Sequence, residues 1–348
     1  MRGGRTVLVR RFAIPLLIVI VFAVVAEYFV GWRSLVYPWR YLDSPSLLAV
    51  AIALLGVTYL IRALRLFRYF RFETGFGACL RLLVQHTLLI NVLPMRAGEF
   101  AFPALMRRHF EMPVERSLPA LLWLRALDFH ALVWVALVVV GLAAGQSAAP
   151  VLLVLAGAWL SLPVLVFLGS LKLERLLPPH ETGKPIQLAR NLLAAVPASL
   201  GRLAEDWVLT AANWILKLAV FAWIVRVFSG ESYTSSVAGA IGGELSTVLP
   251  VQGFAGIGTY EAGVVAAMRA LKVTTSSALT GAVNLHLFVL GVSLLAALLS
   301  LLIRLPARRV PDIVHPAPDL GRLRVSSGRL ATEKSRRLLE HLRRRASR

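Results

Sequence analysis

The stretch Asn91–Phe100, which reads Asn-Val-Leu-Pro-Met-Arg-Ala-Gly-Glu-Phe, places a proline, an arginine, a glycine and a glutamate in an otherwise apolar region. The uncharged segment Leu82–Met95, which leads into it, is 14 residues long. A helix needs roughly 20 residues to cross a bilayer, so this segment is too short to span but suits a re-entrant helix. We expect Pro94 to end the inbound helix and Gly98 to let the backbone turn.

A similar interruption occurs downstream, at Val248–Glu261. Here Pro250 follows a leucine, and Gly256 and Gly258 precede Glu261, which opens a new apolar helix. Two interrupted apolar segments in corresponding halves of a chain are typical of transporters built from inverted repeats. The pair therefore predicts two re-entrant helical hairpins.

The composition of the chain excludes a soluble globular domain. Of its 348 residues 57% are hydrophobic and 16% are charged, and the mean hydropathy is +0.71. We interpret this composition as that of an all-α polytopic membrane protein. The single cysteine, Cys79, excludes a disulfide framework and a thiolate metal cluster. The net charge of +20 lies mainly between apolar segments, which is typical of positive-inside topology and anionic-lipid contact rather than of nucleic-acid binding.

Apolar segments and basic clusters together predict the membrane topology. Crossings are expected at 12–30, 45–61, twice within 129–171, at 207–228 and at 278–303, and the re-entrant hairpins at 80–106 and 236–270. This arrangement has six crossings and two hairpins that enter from opposite faces. The basic N-terminus, 1–11, and the basic tail, 304–348, then both lie in the cytoplasm, and 12–303 is the membrane domain.

Basic residues set several expected boundaries. The second crossing is expected to end near Ile61, so that Arg62 and Arg65 follow it and extend into the cytoplasm. The segment Gln187–Glu205 is expected to be an amphipathic helix on the membrane surface. The basic tail is expected to contact solvent or anionic lipid headgroups.

The hairpins predict a site for an anionic group. The outbound half-helices, which are expected to start near Gly98 and Gly258, would aim their N-termini at the membrane interior. Each helix N-terminus carries roughly half a positive charge and unpaired N–H groups. Arg96 adds a fixed charge beside them, so we expect it to be the main contact of a group such as a lipid phosphate.

Four further charged residues admit two interpretations. Glu99 and Glu261 lie in the first turns of the half-helices, where a carboxylate either caps the helix or takes part in the site. Arg125 and Asp128 are one turn apart in an apolar helix and are expected to pair with each other or with Arg96 and Glu99, for structure or for function. The isolated polar residues in the apolar segments are Lys217, Glu244, Asn284 and His286. Packing is the alternative to a site role for these four, and the histidine is the strongest site candidate.

Motifs of the common enzyme classes are missing from the sequence. It has no paired-histidine metal motif, no Gly-x-Ser-x-Gly and no phosphate-binding loop followed by Lys-Ser or Lys-Thr. Gly253, Gly256 and Gly258 resemble a dinucleotide fingerprint, but no βαβ pattern surrounds them. We therefore expect no catalytic residue, no metal and no cofactor.

Over about residues 10–305 the chain resembles the flippase-like transmembrane domain of lysylphosphatidylglycerol synthases, which many stand-alone bacterial and archaeal membrane proteins share. The resemblance rests on Leu93-Pro94-x-Arg96-x-Gly98-Glu99, on Leu124-Arg125-Ala-Leu-Asp128, and on Leu249-Pro250 with Gly256-x-Gly258-x-x-Glu261. Leu124 stands where the family tends to have glutamate, and Asn284-Leu-His286 where members often carry an arginine. Both departures bear on the choice of headgroup.

The resemblance implies lipid translocation or the handling of a lipid precursor. We expect the chain to move an amphipathic lipid, with an anionic or sugar-bearing headgroup, between leaflets of a bacterial inner membrane. Glu99, Asp128, Glu261 and His286 are the possible proton carriers, and no ATP motif is present. The alternatives are a membrane-embedded transferase, with Glu99 or Asp128 as base, and a scaffold for hopanoid or glycolipid synthesis. Lysyl transfer is not expected from a chain in which only the tail, 304–348, follows the last predicted crossing.

Overall fold

Helices form almost all of the regular structure in the computed structural model. It describes residues 31–37, 39, 45–72, 75–143, 148–178, 183–248 and 252–303, with isolated positions between 17 and 28, and these residues contain no strand. The α-helices are α1 Trp32–Val36, α2 Pro45–Tyr69, α3 Phe76–Val92, α4 Ala101–Phe110, α5 Val114–Ala143, α6 Ala149–Leu160, α7 Leu162–Leu176, α8 Lys184–Leu193, α9 Leu200–Ser229, α10 Tyr233–Ser246, α11 Thr259–Ala270 and α12 Thr275–Ser300. Two 3-10 helices are Pro94–Phe100 and Phe254–Gly256. The predicted all-α class is confirmed.

Within the described residues, five helical stretches are long and apolar enough to cross a membrane. They are Ser46–Tyr69, Val114–Leu142, Ala149–Leu176, Leu200–Ser229 and Thr275–Ser300, of which the third combines α6 and α7. The predicted crossing at 12–30 lies largely outside the described residues, and the basic tail 304–348 lies outside them entirely. The chain is therefore a multi-pass membrane protein.

The second crossing is longer than the sequence suggested. Helix α2 does not end near Ile61 but continues to Tyr69, and Arg65 inside it is only 5% exposed. The apolar part, Ser46–Ile61, has 16 residues, which is less than the roughly 20 needed to span a bilayer. The expectation that Arg62 and Arg65 extend into the cytoplasm is wrong, because Arg65 is buried among the helices and Arg62 lines a cavity inside the bundle.

Two further boundaries differ from the expected ones. Helix α5 begins at Val114 rather than near the predicted start of that crossing, at 129, so Arg125 lies well inside the helix. The expected surface helix Gln187–Glu205 is interrupted, because Pro197 cannot donate the backbone hydrogen bond that continues a helix. Helix α9 starts after it, with the Ser199 hydroxyl accepting the backbone N–H of Arg202 at 3.4 Å.

The two predicted hairpins are present. Hairpin 1 consists of α3, the 3-10 helix Pro94–Phe100 and α4, and hairpin 2 consists of α10, the 3-10 helix Phe254–Gly256 and α11. Three crossings, at 114–142, 149–176 and 200–229, lie between them in the chain. Since each crossing reverses the side of the membrane, the hairpins open on opposite faces, and their two 3-10 helices contact each other.

Helix α9 lies at the centre of the bundle, where it packs against α2, α10 and α12. Phe221 and Val225 on α9 are fully buried, whereas Ala156 is the single buried residue of α6, which places α6 at the periphery. Ahead of α2, Trp39 donates its indole N–H to the Oδ1 of Asn284 on α12, and its ring lies 4.8 Å from that of Phe228. This contact joins the segment before α2 to the last crossing.

Candidate functional site

A cavity of about 360 Å³ lies inside the bundle, where the tips of the two hairpins meet. Its lining comes from both hairpins and from α2, α5, α9 and α12. The charged residues that line it are Arg62, Glu99, Arg125, Asp128, Lys217 and Glu244. Charged groups are costly in the interior of a membrane protein, so a cluster of six at one cavity marks a candidate functional site.

Helix α2 brings two arginines to this site. Thr58, Arg62 and Arg65 are spaced by four and three residues, so they share one face of the helix. Arg65 donates to Asp128 on α5, with 2.7 Å between Nη1 and Oδ1. The same Nη1 donates to the Thr210 hydroxyl on α9 at 2.6 Å. Asp128 is therefore neutralised by Arg65 of α2, a partner that no local sequence pattern indicates.

The tip of hairpin 1 folds tightly against its own inbound helix. Leu93, which precedes Pro94, is extended with φ −79° and ψ 136°, as expected before a proline, and it ends α3. A Cβ at Gly98 would collide with the backbone of Leu89 and Ile90. Glycine is thus required here by close approach of two backbone segments rather than by a left-handed turn. The outbound α-helix starts at Ala101, three residues after the expected position.

Glu99 from this tip forms an ion pair across the cavity wall. Its carboxylate lies 3.0 Å from Nη2 of Arg125 and accepts from Nε of Arg125 at 3.2 Å. Arg125 is also 3.6 Å from Asp128, so the expected pairing of Arg125 with Glu99 and Asp128 is confirmed. His86 on α3 lies 3.7 Å from the same carboxylate. The backbones of Pro94 and Arg96 belong to the 3-10 helix, but their side chains lie outside the described residues.

Glu261 from hairpin 2 has a different environment. Its Oε2 accepts the backbone N–H of Gly258 at 2.7 Å, which caps α11, and its Oε1 lies 2.6 Å from Nδ1 of His286. Gly256 and Gly258 have φ of 76° and 88°, values that favour glycine. The capping interpretation is confirmed for Glu261, while His286 lines the cavity. Pro250 lies outside the described residues.

Lys217 and Glu244, which the sequence presents as isolated polar residues, form a pair. Nζ of Lys217 on α9 lies 2.7 Å from Oε2 of Glu244 on α10. The same ammonium group lies 4.7 Å from the centre of the Trp214 ring, close enough for a cation–π contact. An ion pair therefore joins hairpin 2 to α9, as the Glu99–Arg125 pair joins hairpin 1 to α5.

Arg62 remains available for a ligand. It donates to the Thr87 hydroxyl at 3.2 Å, and no carboxylate in the described part of the chain lies within 4.0 Å of its guanidinium. The Tyr260 hydroxyl and the Asn213 Oδ1 also belong to buried cavity-lining residues, and neither has a hydrogen-bond partner among the residues that the structure describes. The cavity thus offers a cation and two unsatisfied polar atoms to a polar ligand.

A signal for Arg62 and Arg65 was present in the sequence. The apolar segment before them is too short to span, and extending it to a spanning length includes both arginines. The pairing of Asp128 with Arg65 had no such signal, because it depends on contacts between helices 63 residues apart in the chain.

Comparison with known proteins identifies one family. A family model described as the lysylphosphatidylglycerol synthase TM region matches residues 12–328. No curated protein and no solved structure matches the chain. The matched segment contains both hairpins, every described helix from α1 to α12 and all the charged residues of the cavity.

Proposed function

The chain belongs to the family of the lysylphosphatidylglycerol synthase TM region, and from this premise we propose that it moves an amphipathic lipid between the leaflets of a bacterial inner membrane. The charged cavity between the hairpin tips carries this proposal. Taking a polar headgroup out of water is costly unless other polar groups replace the water around it. The cavity supplies such groups inside the bundle, and the hairpins that meet there open on opposite faces.

Arg62 supports a headgroup that contains a phosphate. A guanidinium presents its N–H donors in a planar fork, which matches two phosphate oxygens, and Arg62 has no described carboxylate partner to displace. The Tyr260 hydroxyl and the Asn213 carbonyl oxygen are suited to hydroxyl or amino groups of the same headgroup. These atoms support an anionic or sugar-bearing lipid as substrate, with Arg96 expected to contribute as a second cation.

We also propose that the chain acts on this lipid without covalent chemistry and without a cofactor. Purified protein in liposomes that contain no acyl, aminoacyl or glycosyl donor tests this. The liposomes carry phosphatidylglycerol with a fluorescent acyl chain in both leaflets, and dithionite then quenches the outer leaflet. Transport allows quenching to continue beyond roughly half of the signal, because inner-leaflet lipid reaches the outer face. Failure of the wild-type protein to accelerate quenching without a donor would contradict the proposal and favour the transferase.

Variants at Arg62 test the site itself. We expect Arg62→Ala to slow lipid movement about tenfold, because a charge-assisted contact to phosphate is lost. Arg62→Lys is expected to recover little of it, because a lysine offers a point charge in place of the fork. The matched control is Arg226→Ala, in the exposed last turn of α9. Equal rates for the wild type and both Arg62 variants, in protein that elutes as folded, would exclude this anion site.

A further inference from the structure

A second cluster of basic residues lies away from the cavity, at the open end of hairpin 1. It consists of Arg81 on α3 with Arg108 and His109 at the end of α4, and we call it the Arg81 cluster. The legs of the hairpin pack against each other, which brings the early part of α3 beside the last turn of α4. At this open end a Cβ at Gly75, directly before α3, would lie 3.7 Å from the ring of Phe110, the last residue of α4. Burial and the nearby charges of Arg108 and Arg81 lower the pKa of His109.

Two polar atoms of this cluster are buried and unsatisfied. Nε of Arg81 and Nε2 of His109 have no hydrogen-bond partner among the described residues. No described carboxylate lies within 4.0 Å of Arg81, Arg108 or His109. Buried polar atoms in proteins are nearly always paired, with protein, water or a ligand. Two such atoms beside cations that have no described carboxylate partner favour an anionic ligand.

The helix dipole explains part of the cluster but not all of it. Basic residues are favoured in the last turn of a helix, which accounts for Arg108 and His109 at the end of α4. Arg81 lies in the second turn of α3, away from the C-terminal turn, so the dipole does not favour a cation there. Its unsatisfied Nε is buried close to the basic end of another helix, a position that like charges make unfavourable unless an anion lies between them.

We propose that the Arg81 cluster is a second anion site and binds a phosphate group that bridges the two legs of hairpin 1. The cluster lies a few residues before α5, the next crossing, which places it near the boundary of the membrane, where lipid phosphates lie. Phosphate oxygens accept from Nε of Arg81 and from Nε2–H of His109. The phosphate belongs either to an anionic lipid or to free inorganic phosphate. In both cases its binding stabilises hairpin 1 from its open end, away from the lipid-moving cavity.

Native mass spectrometry and thermal unfolding in detergent test this site. Wild type, Arg81→Ala and Arg81→Lys are titrated with phosphatidylglycerol, with phosphatidylcholine, and with inorganic phosphate. The matched control is Arg175→Ala, an exposed arginine at the end of α7, which lies two crossings after hairpin 1 in the chain. We expect Arg81→Ala to weaken binding of the anionic probe about tenfold and to abolish the rise in melting temperature that this probe causes in the wild type. Arg81→Lys, which keeps the charge but lacks Nε, should fall between the two.

The titrations also identify the source of the phosphate. Dependence on Arg81 with phosphatidylglycerol alone assigns the site to a lipid headgroup, and dependence with inorganic phosphate assigns it to a free anion. Equal binding of both probes by the wild type and Arg81→Ala would overturn the proposal. If the alanine variant does not fold, the same comparison is made with Arg81→Lys. None of these measurements uses lipid movement, so the Arg81 cluster stands or falls independently of the proposed flippase activity.

Discussion

The two hairpins share a sequence pattern, proline then glycine then glutamate, but use the glutamate differently. Glu99 of hairpin 1 pairs with Arg125 on a neighbouring crossing, and its side chain keeps 18% of its exposure beside the cavity. Glu261 of hairpin 2 caps its own helix and contacts His286, and its side chain is 4% exposed. The same motif therefore places one carboxylate in the cavity wall and the other in the protein core. The role depends on which partner the neighbouring helix offers.

The hairpins also differ in how their legs pack. In hairpin 2 a Cβ at either Gly242 or Gly263 would collide with the backbone of the other leg, so the two backbones touch at this pair of glycines. In hairpin 1 a comparable backbone contact occurs at the tip, at Gly98, while the rings of Phe72 and Phe110 stack at its open end with centroids 4.2 Å apart. The legs of hairpin 2 therefore meet backbone to backbone at the Gly242–Gly263 pair, whereas the backbone contact of hairpin 1 lies at its tip and aromatic side chains pack at its open end.

The largest expected effect concerns the opposite orientation of the hairpins. It is measured by cysteine labelling, in which a residue either reacts from outside the cell or does not. Single cysteines in a Cys79→Ala background are treated with a membrane-impermeant maleimide from outside intact cells. We expect Ser34→Cys and Ser232→Cys, the latter at the open end of hairpin 2, to react. Cysteines at 111, the open end of hairpin 1, and at 182 and 307 should react only after the cells are opened. Outside labelling at 307 would overturn the inverted arrangement and the cytoplasmic termini.

The ion pairs that join the hairpins to the crossings give the next largest effect. Lys217→Met leaves Glu244, whose side chain is 7% exposed, without its cation, and breaking such a buried pair costs about 3 to 5 kcal/mol. Arg125→Met leaves Glu99 more exposed and still near His86, so we expect a loss of about 1 to 3 kcal/mol. Thermal unfolding in detergent measures both.

A double variant is the control for this comparison. Lys217→Met combined with Glu244→Leu replaces the pair by apolar groups and should recover most of the lost stability, because no charge is left buried alone. An equal loss in Lys217→Met and Arg125→Met would show that the two hairpins are held with similar strength.

Replacing Glu99 or Glu261 by glutamine is expected to give the smallest change in the rate of lipid movement. The two rates show which hairpin glutamate contributes to transport. We expect Glu99→Gln to slow lipid movement about fivefold, because Arg125 loses a charged partner at the cavity wall. Glu261→Gln should stay within about twofold, since an amide oxygen still accepts the Gly258 N–H and a cap is worth about 1 kcal/mol. The liposome assay described above, run with and without an imposed pH gradient, measures both.

The control for the glutamates is Glu174→Gln, an exposed residue of α7. Wild-type rates and an unchanged pH response in both variants would reduce Glu99 to a structural residue like Glu261. A greater loss in Glu261→Gln than in Glu99→Gln would reverse the comparison, and would assign proton transfer, if any, to the buried pair with His286.

The sequence predicts local breaks well and contacts between helices poorly. Pro94 and the glycines of hairpin 2 act through the backbone of their own segment, so both hairpins were predicted from them. The ends of α2 and α5 depend on membrane thickness and on partners elsewhere in the chain. Arg62 and Arg65 were therefore assigned to the cytoplasm, although Asp128, Thr210 and Thr87 hold them inside the bundle.

The capping and ion-pair alternatives for the two glutamates had the same limit. Glu99 and Glu261 follow a glycine by one and three residues, and either spacing allows a carboxylate to reach the start of a helix. The two glutamates differ in their partners on other helices: Glu99 pairs with Arg125 on α5, and Glu261 contacts His286 on α12. A helix-to-helix contact of this kind is absent from any local pattern, so both interpretations had to stay open.

The contact of Trp39 with Asn284 has a consequence for biosynthesis. Its two residues are 245 positions apart, one ahead of α2 and the other in the last crossing. A ribosome that inserts the chain from its N-terminus delivers Asn284 only when most of the protein is already in the membrane, and contacts this distant in sequence form late. The hydrogen bond from Trp39 to Asn284 therefore forms only after the ten helices α2 to α11 have been synthesised. A chain that ends before α12 lacks Asn284, so the Trp39 indole N–H loses this hydrogen-bond partner.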